Sequence, residues 1–452
     1  MKKVITYGTY DLLHYGHIRL LERAKALGNY LIVGVTAEDF DKVRGKINVK
    51  QSLMERVEAV RQTGLADKIV IEEYEGQKID DIRRYDVDIF TVGSDWIGKF
   101  DYLREYCEVI YLDRTEGVSS TEIRATQNDL RMGLVGESTI LNKVARESKY
   151  INGLTISSVY TKDDSQLSDS LRTIAGQTGD YDALLENVDM VYLASHPDKH
   201  YEQIKHALLA GKHVICESPI TSSEEQNREL FALAKERNCI LMDAIKTAYS
   251  TAYSRLLLLA KGGNIGNVVS VDATCTSLQN LDQMKDVENK TAWNSICEWG
   301  PTAMLPVFQL LGTQYSHKNI VTSFLREDSN MDLFTKIDFI FDHAVATIKV
   351  GKGVKSEGEL IISGTEGYIY VPAPWWKTDY FEIRYENSTD NKRYFYQLDG
   401  EGIRYELVAF VKSIEKRKEQ SYIEQPVTNA ISKVIEDFDA RIDMQQIKGV
   451  MR

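Results

Sequence analysis

The segment Tyr-Gly-Thr-Tyr-Asp-Leu-Leu-His-Tyr-Gly-His occupies residues 7–17 and follows a run of strand-forming residues at 4–7. It predicts the first strand-to-helix junction of the chain, where free backbone N–H groups and the helix dipole favour an anion. Gly8 allows a phosphate to approach the backbone. His14 and His17 are three residues apart, so both face one side of the first helical turn and can donate hydrogen bonds to one phosphate group.

Working outward, residues 1–127 alternate strand-like runs with apolar residues at helical spacing. Strands that alternate with helices indicate an α/β fold with a doubly wound parallel sheet, that is, a Rossmann-like domain. The predicted strands lie at residues 4–7, 30–35, 68–71, 87–92 and 108–112.

Two more folded units are predicted beyond residue 127. A second alternation of strands and helices, between residues 131 and 242, predicts a second Rossmann-like domain. From residue 268 the runs become extended, and Gly-Thr-Glu-Gly at 364–367 indicates a hairpin turn, so we expect an α+β domain with a mostly antiparallel sheet. No Gly/Ser/Pro-rich linker separates the units, which we therefore expect to be closely coupled. The predicted domains are residues 1–127, 128–245 and 246–452.

The composition excludes several classes of protein. The 452 residues are 43% hydrophobic and 27% charged, as in ordinary globular proteins, and 55 basic against 67 acidic residues give a net charge of −12. This charge provides no basic field for nucleic acid or for an anionic membrane surface, so we expect neither as a partner. No apolar run reaches the roughly 20 residues of a membrane span, no signal peptide is evident, and the five cysteines form no C-x-x-C pair. We therefore expect a cytoplasmic protein that holds any phosphate at a local site.

A second anion site is predicted after the fifth strand, at residues 114–121, which read Arg-Thr-Glu-Gly-Val-Ser-Ser-Thr. Ser119 and Glu122 have the spacing of a capping box, which indicates another helix start at the carboxyl edge of the sheet. The segment 43–46 adds cations, and the segment 93–96 ends the fourth strand with a carboxylate and an aromatic ring. Several strand ends therefore converge on one phosphate-binding edge.

Three motifs in this order resemble the glycerol-3-phosphate cytidylyltransferases: G-T-Y-D-L-L-H-Y-G-H, G-S-D-W and R-T-E-G-V-S-S-T. The resemblance covers residues 1–127 and implies transfer of a cytidylyl group from CTP to a small polyol phosphate, with Mg²⁺. Pyrophosphate would leave, and the product would be a CDP-polyol such as CDP-glycerol, a precursor of a cell-wall or capsule polymer. The residues expected to bind CTP are Gly8, Thr9, Tyr10, His14, His17, Lys46, Asp95, Arg114, Thr115, Ser119, Ser120 and Thr121. The residues expected to meet the acceptor are Asp11, Arg44 and Lys78.

The reaction requires no covalent intermediate. An oxygen of the acceptor phosphate attacks the α-phosphorus in line, and the enzyme acts by positioning the groups and neutralising their charge. We assign His14 and His17 to hydrogen bonding in the transition state, and Lys46 and Arg114 to the departing phosphates. The metal ligands are not evident from the sequence.

Residues 128–452 resemble the glucose-fructose oxidoreductase and inositol dehydrogenase (Gfo/Idh/MocA) family of NAD(P)-dependent enzymes. The resemblance is carried by V-Y-L-A-S-H-P at 191–197, A-G-K-H-V-I-C-E-S-P at 210–219 and G-T-E-G-Y-I at 364–369. It implies an NAD(P) cofactor. The candidate dinucleotide site consists of Gly136, Ser138, Ser195, His196, Glu217 and Pro219.

This part of the chain departs from the family at three functional positions. Of the G-x-G-x-x-G fingerprint only the first glycine remains, at Gly136. Ser218 replaces the lysine of E-K-P, and Thr302 replaces the proton-transferring histidine. A carbonyl reductase needs a proton donor, and neither a serine nor a threonine is one unaided.

Two hypotheses follow for residues 128–452. In the first, they are an active NAD(P)-dependent reductase that makes the polyol phosphate, so the chain is bifunctional. In the second, they are catalytically silent and bind a sugar-like ligand or build the oligomer. The missing glycines, lysine and histidine favour the second hypothesis. The extended runs and the resemblance of residues 1–127 both predict a homo-oligomer, a dimer or a tetramer.

Overall fold

The computed structural model divides the chain into two compact units, Met1–Asp129 and Leu130–Arg452. The residues that the structure describes are 2–37, 49, 51–74, 76–113, 130–151, 153–178, 180–279, 293–326, 329–396, 398–417 and 421–448. Across these ranges, none of the helices combines the length and the apolar character needed to cross a membrane.

The first unit is built on a five-stranded parallel sheet with the strand order β3-β2-β1-β4-β5. The strands are β1 (Lys3–Gly8), β2 (Tyr30–Thr36), β3 (Lys68–Glu72), β4 (Ile89–Gly93) and β5 (Glu108–Leu112). The helices are α1 (Tyr15–Ala26), α2 (Leu53–Gln62) and α3 (Gln77–Tyr85). All five predicted strands are confirmed to within two residues at each end, because each is a short apolar run bounded by polar residues.

The strand order reverses between β1 and β4, which run side by side at the centre of the sheet. In open parallel sheets, ligands bind outside the carboxyl ends of the strands at such a reversal. The connection from β1 to α1, which contains the segment quoted above, leaves the sheet at this point. The topology therefore places residues 8–14 at the expected ligand crevice.

The second unit begins with another five-stranded parallel sheet, in the order β10-β9-β8-β6-β7. Its strands are β6 (Leu130–Gly136), β7 (Leu154–Tyr160), β8 (Met190–Ala194), β9 (His213–Cys216) and β10 (Leu241–Asp243). The connecting helices are α4 (Ile140–Ser148), α5 (Asp169–Thr178), α6 (Tyr181–Glu186), α7 (Pro197–Leu209) and α8 (Glu224–Glu236). The predicted second Rossmann-like fold is confirmed.

A nine-stranded mixed sheet follows, in the order β18-β17-β16-β15-β11-β14-β13-β12-β19, and only its β11–β14 and β12–β19 pairs are parallel. Its strands are β11 (Val268–Thr276), β12 (His317–Phe324), β13 (Asp332–Ile340), β14 (Val345–Gly351), β15 (Leu360–Gly364), β16 (Tyr368–Val371), β17 (Tyr380–Arg384), β18 (Lys392–Phe395) and β19 (Met444–Gln446). The accompanying helices are α9 (Thr251–Lys261), α10 (Ser295–Leu311), α11 (Ile403–Lys416) and α12 (Gln425–Asp439).

The hairpin predicted at residues 364–367 is confirmed, since β15 and β16 pair antiparallel and the Gly367 carbonyl accepts the Gly364 N–H at 2.8 Å. Two predicted strands are displaced: the run at 239–242 corresponds to β10, which begins two residues later, and the run at 394–397 corresponds to β18, which begins two residues earlier. The sequence did not predict β12, β13, β17 or β19. The division of residues 128–452 into two domains at residue 245 stays a prediction.

Candidate functional site

Two stacked histidines mark the start of α1. The His14 and His17 rings lie 3.8 Å apart between centroids, with 25° between their planes. His14 is the N-cap residue, and its Nδ1 accepts the Gly16 N–H at 3.1 Å. A neutral His14 ring therefore carries its proton on Nε2 and can donate it to a ligand. The predicted proximity of the two imidazoles is confirmed.

The loop between β1 and α1 has an unusual backbone. Tyr10 and Leu12 have φ values of 52° and 46°, a left-handed conformation that costs a non-glycine residue roughly 1–2 kcal/mol. The buried Tyr10 ring lies against Gly8, where an added Cβ would be 2.9 Å from the ring, and meets His17 edge-on at 5.5 Å. The close approach of the Tyr10 ring therefore favours glycine at position 8.

Asp11 is buried at 4% exposure, and its carboxylate accepts the Gln51 N–H at 3.0 Å. The Gln51 side chain in turn accepts the Leu12 N–H at 2.8 Å. This reciprocal pair fixes the left-handed loop to the segment before α2, where Ser52 and Glu55 form a complete capping box.

Arg56 also holds this loop, and sequence reasoning missed it. Its side chain is fully buried, and its Nη1 donates to the carbonyl oxygens of Thr9 and Thr36, each at 2.8 Å. It thereby joins the end of β2 to the loop that carries the two histidines. The signal that could have found it is an arginine at an apolar-face position of α2, one residue before Val57.

Lys78 lies in a closed polar pocket rather than at the surface. It is 6% exposed, forms an ion pair with Glu72, and places its ammonium 4.6 Å from the centroid of the Tyr7 ring. The Tyr7 hydroxyl donates to Asp81 at 2.8 Å, and burial together with this carboxylate raises the pKa of Tyr7. Contact between Lys78 and an acceptor phosphate stays a prediction, and it requires Lys78 to leave or share Glu72.

Of the remaining predicted residues of the first unit, one, Asp95, lies among the described residues. Asp95 lies in the 3₁₀ turn Ser94–Trp96 directly after β4, at the carboxyl edge of the sheet. The others lie outside the described residues: Arg44, Lys46, Arg114, Thr115, Ser119, Ser120 and Thr121. In the part of the chain that is described, no group of three or more His, Cys, Asp or Glu side chains could hold a metal ion.

The second unit contains a cavity of about 630 Å³ beside β6 and α7. Its volume lies within the usual range for small-molecule sites. The lining includes Gly136 at the end of β6, and Lys162, which follows β7 and is exposed. The other lining residues are Glu137, Tyr160, Tyr181, Asp198, Lys199, Glu202, Gln203, Lys205, His206 and Leu209.

Gly136 has a φ of 127° and allows β6 to lie directly against β8, because an added Cβ would be 2.4 Å from the Ala194 carbonyl carbon. The next residue, Glu137, forms an ion pair with Lys199 at 3.4 Å. Ser138 accepts the Ile140 N–H at 3.3 Å near the start of α4. The glycine, the helix start and the exposed Lys162 fit the adenosine end of a dinucleotide, whereas Glu137 and Ser138 narrow the approach to its pyrophosphate.

Two histidines near the start of α7, His196 and His200, have structural contacts. His196 is the N-cap of α7, and its Nδ1 accepts the Asp198 N–H at 3.4 Å. His200 is fully buried, with ring nitrogens 2.9 Å from the Pro219 carbonyl oxygen and 2.8 Å from that of Ser195. Burial lowers the pKa of His200, so the ring is a poor cation at neutral pH. The predicted members Ser195 and Pro219 thus both contact the buried His200 ring.

Glu217 follows β9, and its carboxylate accepts a hydrogen bond from the buried Tyr192 at 2.6 Å. Tyr192 also lies 3.1 Å from Glu406 of α11, another residue that sequence reasoning missed. Burial raises the pKa of Glu217, and Lys246 opposes this shift. The 214 residues that separate Tyr192 from Glu406 explain why no local pattern revealed this contact.

The parallel sheet, the strand reversal and the histidine pair at the first helix are features of a nucleotide-binding α/β domain. Residues 5–126 match the family model described as cytidylyltransferase-like, and residues 130–244 match that of the oxidoreductase family with an NAD-binding Rossmann fold. The glycerol-3-phosphate cytidylyltransferase of Bacillus spizizenii is 52% identical over 124 residues, which are 27% of this chain and 95% of that protein. The chain therefore belongs to the cytidylyltransferase-like family and carries a second segment of the Gfo/Idh/MocA oxidoreductase family.

Relatives of the second unit are more distant. The dTDP-3,4-didehydro-2,6-dideoxy-α-D-glucose 3-reductase of Actinomadura kijaniata is 30% identical over 156 residues, 34% of this chain and 47% of that enzyme. The crystal structure of KijD10, a 3-ketoreductase from the same organism in complex with NADP and TDP-benzene, covers 71% of this chain and 100% of its own. Its TM-score is 0.62 at 16% identity, a likeness of fold.

Proposed function

We propose that the chain transfers a cytidylyl group from CTP to a small polyol phosphate, such as glycerol 3-phosphate, and releases pyrophosphate. The observation that supports this proposal is the stacked pair His14 and His17 on the strand-reversal edge of a cytidylyltransferase-like unit. Nε2 of His14, left protonated by the bond from Gly16 to Nδ1, can donate to the α-phosphate as charge develops there.

The rest of the loop orients these donors. Arg56 and Gln51 fix the left-handed backbone between β1 and α1, so the histidines reach the transition state without reorganisation. Lys46 and Arg114 are proposed to neutralise the departing phosphates. Mg²⁺, held mainly by the phosphates of CTP, would supply further charge neutralisation.

The test is pyrophosphate release from the four ribonucleoside triphosphates, each paired with phosphates of glycerol, erythritol, ribitol and mannitol. We expect release with CTP and one or a few of these acceptors. A strong preference for ATP over CTP would overturn the cytidylyl assignment, and release without any acceptor would overturn the transfer reaction.

A second proposed function, for residues 130–452, is reduction of a sugar-like carbonyl with NAD(P)H, which would make the acceptor polyol phosphate. The cavity beside Gly136 supports it, because its volume is that of a small-molecule site and an exposed lysine lies after β7, where a ribose phosphate would lie. Titration with NADPH and NADH, followed by nicotinamide fluorescence, tests it. Saturable binding supports the bifunctional hypothesis, and no binding supports a silent module. A homo-oligomer is proposed for the whole chain and is tested by light scattering.

A further inference from the structure

A chain of three hydrogen-bonding side chains runs inward from the carboxyl edge of the second Rossmann-like sheet. Tyr192 Oη lies 2.6 Å from Glu217 Oε1 and 3.1 Å from Glu406 Oε1. Tyr192 and Glu406 are fully buried, whereas Glu217 is partly exposed just beyond β9. The three side chains therefore connect the interior with the edge at which ligands bind in such sheets.

The geometry requires a proton in addition to that of the phenol. A phenol has one proton, so Tyr192 can donate to only one of the two carboxyl groups at a time. For both short contacts to be hydrogen bonds, the other carboxyl group must be protonated and donate to Tyr192. Glu406 is the better holder, because its Oε2 is buried without a hydrogen-bond partner among the described residues and an ionised carboxylate there would cost several kcal/mol.

The charged groups around Glu406 favour the protonated form of its carboxyl group. Asp243 of β10 also acts on the cluster, and Lys246, in the turn after β10, is the cation that opposes these carboxyl groups. Burial raises the pKa of Glu406 well above its usual value, and the neighbouring Glu217 raises it further. One ammonium group cannot neutralise three carboxylates, so the cluster holds a proton near neutral pH.

We propose that Glu406, Tyr192 and Glu217 form the proton-donating relay of the reductase, in place of the lysine and histidine replaced by Ser218 and Thr302. This proposal rests on the second proposed function. Glu217, at the exposed end of the relay, is the catalytic residue that touches the substrate. Tyr192 and Glu406 act through Glu217 and are positioning residues.

The proposed step reduces a carbonyl group to an alcohol. The carbonyl carbon accepts a hydride, a proton with two electrons, from the reduced nicotinamide, which is thereby oxidised. The carbonyl oxygen accepts a proton from Glu217 and becomes a hydroxyl group. Glu217 receives that proton from Tyr192, and Tyr192 receives one from Glu406, which is left as a carboxylate. After the alcohol leaves, a proton from solvent enters at Glu217 and returns along the same path.

The first test locates the proton without any turnover. Infrared spectra of the full chain at neutral pH distinguish the C=O band of a protonated carboxylic acid from the bands of a carboxylate. We expect the difference between wild type and Glu406→Gln to show the loss of a protonated acid. Loss of a carboxylate band instead would overturn the assignment of the proton.

The second test measures the redox reaction in reverse, as reduction of NAD⁺ or NADP⁺ by the polyol phosphates of the panel above. Glu217→Gln should lower kcat by about 10²–10⁴, the usual contribution of a general acid or base. Tyr192→Phe and Glu406→Gln should lower kcat less and shift its pH profile. Tyr253→Phe is the matched control, because Tyr253 is equally buried and donates to Gln309 at 2.9 Å, outside the relay.

The outcomes separate the two proposals. If the wild type binds no nicotinamide nucleotide, or binds one and oxidises none of the polyol phosphates, both the reductase and the relay are overturned. If it turns over and Glu217→Gln retains wild-type kcat, the relay alone is overturned. Equal pH profiles for Glu406→Gln and wild type would also exclude the relay.

Discussion

The His17 ring stacks on the His14 ring with 3.8 Å between the ring centroids, so a single ligand group can meet both imidazoles. Replacement of His17 by Ala removes one of two preorganised donors and leaves the loop contacts of Arg56 in place. We expect kcat for pyrophosphate release to fall by about 10²–10³, the scale of losing one such donor, with a smaller change in KM for CTP.

Arg19→Ala provides the control for this experiment, since Arg19 is exposed on the same helix and pairs with Glu22 at 2.6 Å. It should retain wild-type kcat. Near-normal turnover of His17→Ala would contradict the assignment of the histidines to the transition state.

Arg56 should be essential for the structure of the loop between β1 and α1, beside His14 and His17. Arg56→Ala leaves the carbonyl oxygens of Thr9 and Thr36 without their donor, and each hydrogen bond from a charged group contributes roughly 1.5–3 kcal/mol. We therefore expect about 3 kcal/mol or more of lost stability, seen as a lower urea concentration at which pyrophosphate release is lost.

The matched control for Arg56 is Arg61→Ala, because Arg61 lies on the same helix and is exposed, with a surface pair to Glu58. Surface pairs of this kind contribute little. If the two variants lose activity at the same urea concentration, the proposed role of Arg56 in holding the loop is wrong.

At the site in the first unit, the sequence predicts the two histidines but not the buried arginine that holds their loop. His14 and His17 were predictable because the strand, the glycine and the helix start are adjacent in the chain, and helical spacing fixes which side chains meet. Arg56 was not, because its acceptors Thr9 and Thr36 are 47 and 20 residues away in the chain. A local sequence pattern shows the periodicity of apolar residues, but it does not show which distant polar groups pair inside a core.

The same distinction applies to the fold. The parallel sheets were predicted because their buried strands are continuous apolar runs. In the nine-stranded sheet, β12 and β13 carry polar residues such as Lys318 and Thr335 at buried positions, and these residues interrupt the apolar alternation that predicts a half-buried strand. Lys318 is buried only because Asp437 and Asp443 pair with it, each at 2.8 Å, which the sequence does not reveal.

The Gly136→Ala variant tests whether the second unit depends on the close contact between β6 and β8. Gly136→Ala places a Cβ 2.4 Å from the Ala194 carbonyl group and forces alanine into a φ of 127°. We expect a marked loss of thermal stability, of several kcal/mol, and loss of NADPH binding. Gly176→Ala is the control, because nothing lies within 4 Å of its Cβ position and it is helical, so stability should be unchanged or raised. A Gly136→Ala variant as stable as wild type would show that β6 and β8 can separate.

The Lys162→Glu variant tests whether the ribose end of a nucleotide lies beside Lys162 in the cavity. It is exposed, follows β7 and lines the cavity, a position that meets the ribose 2′ substituent in Rossmann folds. Lys162→Glu should weaken NADPH binding by about tenfold or more relative to NADH, because a carboxylate then faces the 2′-phosphate. Lys149→Glu, an exposed change just after α4, should affect both nucleotides equally. Equal weakening of both by Lys162→Glu would place the phosphate elsewhere.

Asp243 should make the stability of the second unit depend on pH. Burial raises the pKa of Asp243 from 3.8 to about 7, although Thr428 donates to its Oδ2 at 3.0 Å. The folded protein therefore holds a proton that the unfolded chain releases near pH 4. The resulting stabilisation is complete below about pH 4 and is lost as the pH rises through about 7.

Asp243→Asn removes this titration, so the variant should gain stability relative to wild type between pH 4 and 8. A shift of about three pH units corresponds to roughly 4 kcal/mol as an upper scale. Urea unfolding followed by tryptophan fluorescence measures it, because Trp293, Trp299, Trp375 and Trp376 are four of the five tryptophans and lie in this unit. Asp342→Asn, an exposed change between β13 and β14, should give a curve parallel to wild type. Burial also raises the pKa values of Glu406 and Asp332, and both groups are present in every variant. The contribution of Asp243 is therefore the difference between the stability curves of wild type and Asp243→Asn. If these two curves are parallel, Asp243 is ionised in the folded state.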